Sequence, residues 1–83
     1  MYWVYAIYNK RYGKIYIGQT EDLGKRLELH NDKVFSKSYT ARFEGDWNLI
    51  YKEKCDNRES ALVREKQLKS YQGRLFVKDF IPR

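Results

Sequence analysis

The sequence predicts an α+β fold in the order ββαβα plus a C-terminal helix, arranged around a small sheet. Three observations carry this. Two runs rich in aromatic and β-branched residues flank a short turn, a third alternating run lies near the middle, and capped stretches of helical periodicity follow the second and third runs. With 83 residues, one compact unit spanning 1–83 is expected.

The first run is Tyr2 to Tyr8 and the second Lys14 to Gln19, with Asn9-Lys10-Arg11-Tyr12-Gly13 supplying turn chemistry between them. A β-hairpin follows. A four-residue loop pairs Tyr8 with Gly13 and sets Tyr5 directly opposite Tyr16 on one face. Thr20 and Asp22 then offer N-caps for a helix from Asp22 to Asn31, with Leu23 and Leu27 as its apolar stripe and Asn31 and Asp32 as its stop. At about 100° per residue, Arg26 and His30 project one turn apart on the same side, along the edge of that stripe.

From Asp32 to Asp46 the pattern is irregular, with Lys33, Lys37 and Arg42 among Ser and Thr, which reads as a surface loop with a short helix after Phe35. Trp47 to Cys55 alternates as a third strand, with Trp47, Leu49 and Tyr51 on one side. Asp56 and Glu59 form a capping box for a helix from about Asn57 to Tyr71. Gly73 ends it, and Arg74 to Ile81 forms the closing helix. On a helical wheel Ala61, Leu62 and Leu68 make the buried stripe of the long helix, and Glu65 falls at its centre. An ionised carboxylate there costs several kcal/mol unless a cation, a metal or hydrogen-bond donors meet it.

Composition narrows the function. A net charge of +6 on a chain this short points to a polyanionic partner. Fourteen aromatics, eight of them Tyr, supply the core formers that a small domain needs. The single Cys55 excludes an internal disulfide, and Cys55 with His30 cannot assemble a Cys/His zinc site. The chain therefore reads as intracellular, reduced and cytoplasmic. No signal-peptide pattern follows Met1, and the longest apolar run, the eight residues from Met1 to Tyr8, is far short of the roughly 20 needed to cross a bilayer.

The positions that break local rules are Tyr5 and Tyr16 on one strand face, Arg26 and His30 on one helix edge, and Glu65 in an apolar stripe. Each has a structural reading when taken singly: cross-strand packing for the tyrosines, snorkelling for the arginine, a satisfied core group for the histidine, and an edge position for the carboxylate. Order and spacing join them. Trp3-Val4-Tyr5, then Tyr16-Ile17-Gly18, then Leu23 with Arg26 and His30-Asn31, resembles the GIY-YIG nuclease domain, in particular its small stand-alone bacterial members. Trp47 through Tyr51, Glu59-Ser60-Ala61-Leu62 and Arg64-Glu65-Lys66-Gln67-Leu68-Lys69 are similar to that family's third strand and metal-binding helix. The resemblance runs over about residues 2 to 70.

The resemblance implies a three-stranded antiparallel β-sheet flanked by helices, and a single nuclease domain over 1–83. It also implies Mg²⁺-dependent hydrolysis of phosphodiester bonds in DNA, with Mn²⁺ as a substitute ion. Glu65 matches the family's carboxylate metal ligand, in keeping with the habit of Mg²⁺ of taking one or two carboxylates plus waters and phosphate oxygens. Arg26 matches the arginine that grips the scissile phosphate. Tyr5 matches the tyrosine assigned to activating the attacking water, Tyr16 the second tyrosine of that network, and His30 a position where members carry Tyr or His. Tyr5 and His30 both stand as candidate general bases.

Lys10, Arg11 and Lys14 at the hairpin tip, Gln19 after the second strand, and Lys33, Lys37 and Arg42 in the central loop are the candidate nucleic-acid contacts. Gly18 lets backbone and substrate approach closely at the end of the second strand. The first motif departs from the family by lacking its glycine. Gln19 stands where some members carry Lys, and Gln72 is a candidate for the family's downstream asparagine. Weak sequence preference is expected, because members gain specificity from an added DNA-binding domain. The expected state is a monomer or weak dimer without a membrane, acting alone or inside a larger DNA-processing complex. The alternative is a catalytically silent nucleic-acid-binding module, or an accessory subunit of a repair or restriction complex.

Overall fold

In the computed structural model, which describes residues 1–31 and 45–82, the elements run β1 (Tyr2–Asn9), β2 (Lys14–Thr20), α1 (Leu23–Asn31), β3 (Trp47–Cys55), α2 (Arg58–Lys69) and α3 (Tyr71–Lys78). Lys33, Lys37, Arg42 and the short helix expected after Phe35 lie outside the described residues. The sheet is antiparallel with order β2-β1-β3. Its central strand explains the longest apolar run of the sequence. Val4 and Ala6 point to one face and Tyr5 and Ile7 to the other, and all four are buried, so alternation with polar residues has no place there.

The hairpin register differs from expectation by two residues: Tyr5 pairs with Gly18 and Ile7 with Tyr16, and the hairpin closes at Asn9 and Lys14. Two local devices move the turn. Gly13 takes a left-handed φ of 65°, and the Asn9 side chain accepts the Tyr12 N–H at 3.1 Å, so Asn9 ends the strand rather than opening the loop. A shift of two preserves the side-chain faces. Tyr5 and Tyr16 therefore still share a face, now as diagonal neighbours with ring centroids 6.3 Å apart.

β3 also departs from simple alternation. Ala6 pairs with Tyr51 but Ile7 with Leu49, so a bulge at Ile50 inserts one residue and reverses the faces beyond it. Trp47 consequently packs with Tyr5 and Ile7, while Tyr51 packs with Val4 and Ala6 on the opposite face. Three layers result. α1 covers one face through Leu23 and Leu27, and α2 and α3 cover the other through Ala61, Leu68 and Val77.

The helix ends are set by side chains. Asp22 accepts the Lys25 N–H at 3.1 Å and caps α1, and Asn31 closes it by bonding both the N–H and the carbonyl of Trp47, at 2.8 and 3.1 Å. Asn57, rather than Asp56, caps α2, accepting the Ser60 N–H at 2.8 Å from an extended backbone. α2 stops at Lys69 because Ser70 turns the chain and caps α3, its hydroxyl accepting the Gly73 N–H at 3.2 Å. Gly73 is thus inside α3 and does not end α2. A Cβ there would lie 2.2 Å from the Gln67 carbonyl oxygen, so glycine is what lets α3 fold back onto α2. Leu62 is 43% exposed, which removes it from the buried stripe of Ala61 and Leu68. Among the described residues no helix is long and apolar enough to cross a membrane.

Candidate active site

β1, β2 and α1 bring three of the expected residues into contact. The Tyr5 hydroxyl lies 2.9 Å from His30 Nε2, and the Tyr16 ring lies 5.0 Å from the His30 ring and 6.3 Å from that of Tyr5. Tyr5 and His30 are buried and Tyr16 is half-buried, so Tyr16 is the member facing outward. The contact between Tyr5 and His30 depends on Gly18. A Cβ at this position would stand 2.8 Å from the Tyr5 hydroxyl and 3.0 Å from Tyr16 Cε2. The missing side chain makes room for the two tyrosine rings, where the sequence suggested room for substrate.

Burial pushes the Tyr5 phenol far above its ordinary range, and the neighbouring Tyr16 and the Glu65 carboxylate add to the rise. Arg26 works against it. Burial thus favours the neutral phenol, which lies against His30.

Arg26, half-buried on the first turns of α1, and Glu65, from the layer on the other side of the sheet, both act electrostatically on the same hydroxyl. β2 is an edge strand, and α2, which carries Glu65, packs against it. The expected position of Glu65 between Ala61 and Leu68 holds, with a side chain 20% exposed and Oε2 accepting from Lys69 Nζ at 2.8 Å. A nearby cation thus meets the carboxylate.

Among the described residues, no group of three or more His, Cys, Asp and Glu side chains gathers, and Lys69 is the partner of the Glu65 carboxylate. A hard divalent ion satisfied by one carboxylate, waters and phosphate oxygens fits this donor set, through Glu65 Oε1.

The expected nucleic-acid contacts separate into groups. Lys10, Arg11 and Lys14 are exposed at the hairpin tip, with the Arg11 guanidinium 5.6 Å over the Tyr12 ring. Gln19 lines a depression with Tyr2, Lys25, Arg26, Leu29 and Arg58, and its Oε1 is buried without a hydrogen-bond partner. Glu21 and Asp22 border the same depression, the first accepting from the Tyr2 hydroxyl at 2.7 Å and the second capping α1. Gln72 lies elsewhere, in a depression with Arg64, Gln67 and Phe76. The sequence reading passed over Lys25, Arg58, Lys69 and Arg74. The Glu65–Lys69 spacing of four on a helix was a legible signal for the third.

The chain matches the model of the GIY-YIG catalytic domain over residues 1–76. No curated protein matches it significantly. Among solved structures it is similar to a UPF0213 protein from Bacillus halodurans, determined by solution NMR, at 26% identity and a TM-score of 0.54, covering 95% of this chain and 84% of that one.

Proposed function

From the premise that the chain belongs to the GIY-YIG catalytic domain family, a family of nucleases, we propose that it is a metal-dependent endonuclease that hydrolyses phosphodiester bonds in DNA with weak intrinsic sequence preference. One observation supports this above the others. Tyr5, Tyr16 and His30 gather on one face of the sheet, and Arg26 from α1 and Glu65 from α2, on the two faces, both act electrostatically on the Tyr5 hydroxyl.

Arg26 grips the scissile phosphate from the first turns of α1, a fixed cation where charge develops in the transition state. Glu65 would hold Mg²⁺, which would supply Lewis acidity at the scissile phosphate. The buried Tyr5–His30 pair receives the proton of the attacking water. As the Tyr5 oxygen takes that proton, its own passes to His30 Nε2, so the phenol never ionises and its raised pKa is no obstacle. Tyr16, half-exposed beside both, orients the water.

Cleavage of labelled duplex, single-stranded and branched DNA in Mg²⁺, in Mn²⁺ and in EDTA, by the wild type and Glu65→Ala, tests the proposal. Cutting that requires the ion and disappears in the variant is expected. His30→Phe should lower kcat, because the proton leaving the attacking water then has no acceptor behind Tyr5. If nothing is cut while both proteins bind DNA with equal, salt-sensitive affinity, the catalytic reading gives way to a binding module.

A further inference from the structure

A second basic feature adjoins the site. A shallow groove between the β2 edge and the corner where α2 meets α3 is lined by Ile15, Tyr16, Ile17, Lys69 and Arg74. Its lining contains two cations and no carboxylate, and it shares Tyr16 with the tyrosine cluster. Lys69 reaches from this groove to Glu65 Oε2 at 2.8 Å, so the groove and the carboxylate are neighbours.

The corner is built to hold both cations in place. Ser70 donates from its hydroxyl to the Gln67 carbonyl at 2.5 Å and accepts the Gly73 N–H, and Gly73 permits the close approach of α3 to α2. Arg74 Nε donates to the Lys69 carbonyl at 3.2 Å, which orients the guanidinium. Among the described residues its terminal amino groups meet no acceptor, so they are available to a ligand. Two cations from adjacent helices, beside a half-buried aromatic ring, match a phosphodiester with its sugar lying against the ring.

We propose that the Lys69–Arg74 groove seats the backbone phosphate next to the one held by Arg26, so that the nucleic-acid strand crosses Glu65 between the two cationic positions. This rests on the nuclease reading above and names contacts that the reading leaves unassigned. Lys69 then has two partners: it pairs with Glu65 in the free protein and reaches the flanking phosphate in the complex.

Binding of a labelled 20-base-pair duplex in EDTA, where no cleavage occurs, followed across a salt series, tests it. The variants are Lys69→Gln and Arg74→Gln, with Lys54→Gln as the charge-matched control. Lys54 lines the depression holding Glu53, Asp56 and Glu59. Each groove variant should weaken binding about 3- to 10-fold and lower the log–log salt slope by about 1, whereas Lys54→Gln leaves the slope in place. Arg74→Lys, which keeps the charge, should keep the slope and so separates charge from corner geometry. Groove variants that bind like Lys54→Gln would overturn the groove assignment and leave the nuclease reading standing. Failure of the wild type to bind DNA at any salt concentration would overturn both.

Discussion

Arg64 and Glu65 are neighbours in sequence, yet α2 sends them to opposite edges of the sheet with opposite fates. Arg64 turns to the β3 side, where Nε donates to both oxygens of Glu53 at 3.0 and 3.1 Å and Nη1 to Gln67 at 3.2 Å. Glu53 also accepts from the Tyr51 hydroxyl at 2.5 Å, and the guanidinium lies 5.9 Å over the Phe76 ring. Tyr51 in turn packs its ring against Phe76 and Phe80. Every partner there is a protein group. Glu65 turns to the β2 side, where one surface lysine meets one carboxylate oxygen. A guanidinium N–H shared between both oxygens of a carboxylate and packed on an aromatic ring is structural, whereas a single contact to an exposed ammonium can be exchanged for a ligand. The same helix therefore carries a tightly paired edge and a singly paired one, one residue out of phase.

The largest expected effects separate those edges. Glu65→Gln should lower cleavage about 10³-fold or more, roughly 4 kcal/mol in the barrier, while its melting temperature stays within a few degrees of wild type. Arg64→Met should do the reverse, losing about 1 to 2 kcal/mol of stability in urea unfolding with kcat changed less than about threefold. If both variants lost activity and stability together, the division between edges would be wrong.

Gly18→Ala tests the Tyr5 side at the next level. Its methyl would press on the Tyr5 hydroxyl and the Tyr16 ring, and Tyr5 is too buried to swing away. A 10- to 100-fold fall in kcat and about 1 to 3 kcal/mol of destabilisation are expected. A variant with the activity and stability of wild type would show that the Tyr5–Gly18 contact positions nothing.

The smallest effect is linked to pH. Tyr5 has a folded-state pKa raised above the unfolded value near 10, so its stabilisation is complete below pH 10 and is lost as pH climbs above it. Above pH 10 the wild type should lose up to about 1.4 kcal/mol per pH unit more than Tyr5→Phe, measured by urea unfolding at a series of pH values. Tyr2 and Tyr51, also raised, contribute equally to both proteins and cancel. Parallel curves for the two proteins would contradict the burial of an intact phenol.

Local pattern made much of this molecule readable. The expected α+β order, three strands and three helices, follows from side-chain periodicity and turn residues, which act over a few positions. The pairing of faces survived a register error at the hairpin because a slip of two leaves each side chain on its own side of the sheet. Glu65 stood out because a carboxylate in an apolar stripe is visible without any tertiary information. Less was legible where two groups compete for one role. Asn57 and Asp56 are both good caps, and only the path from β3 into α2 selects Asn57. The bulge at Ile50, which puts Trp47 and Tyr51 on opposite faces, left no mark in the alternation of the strand itself.

The sequence by itself determined the identity and order of the elements, the apolar central strand, the shared face of Tyr5 and Tyr16, and the cationic surplus. These depend on interactions within one element or between adjacent ones. Tertiary structure alone decided that α1 and α2 lie on opposite faces, that α2 with Glu65 packs against the edge strand β2, and that Lys69 and Arg74 meet at one corner. It also assigned Gly18 to the tyrosine rings and Gly73 to the contact between α2 and α3. The reason is physical: such juxtapositions depend on which faces bury against each other and how closely backbones approach, and no single segment carries that information.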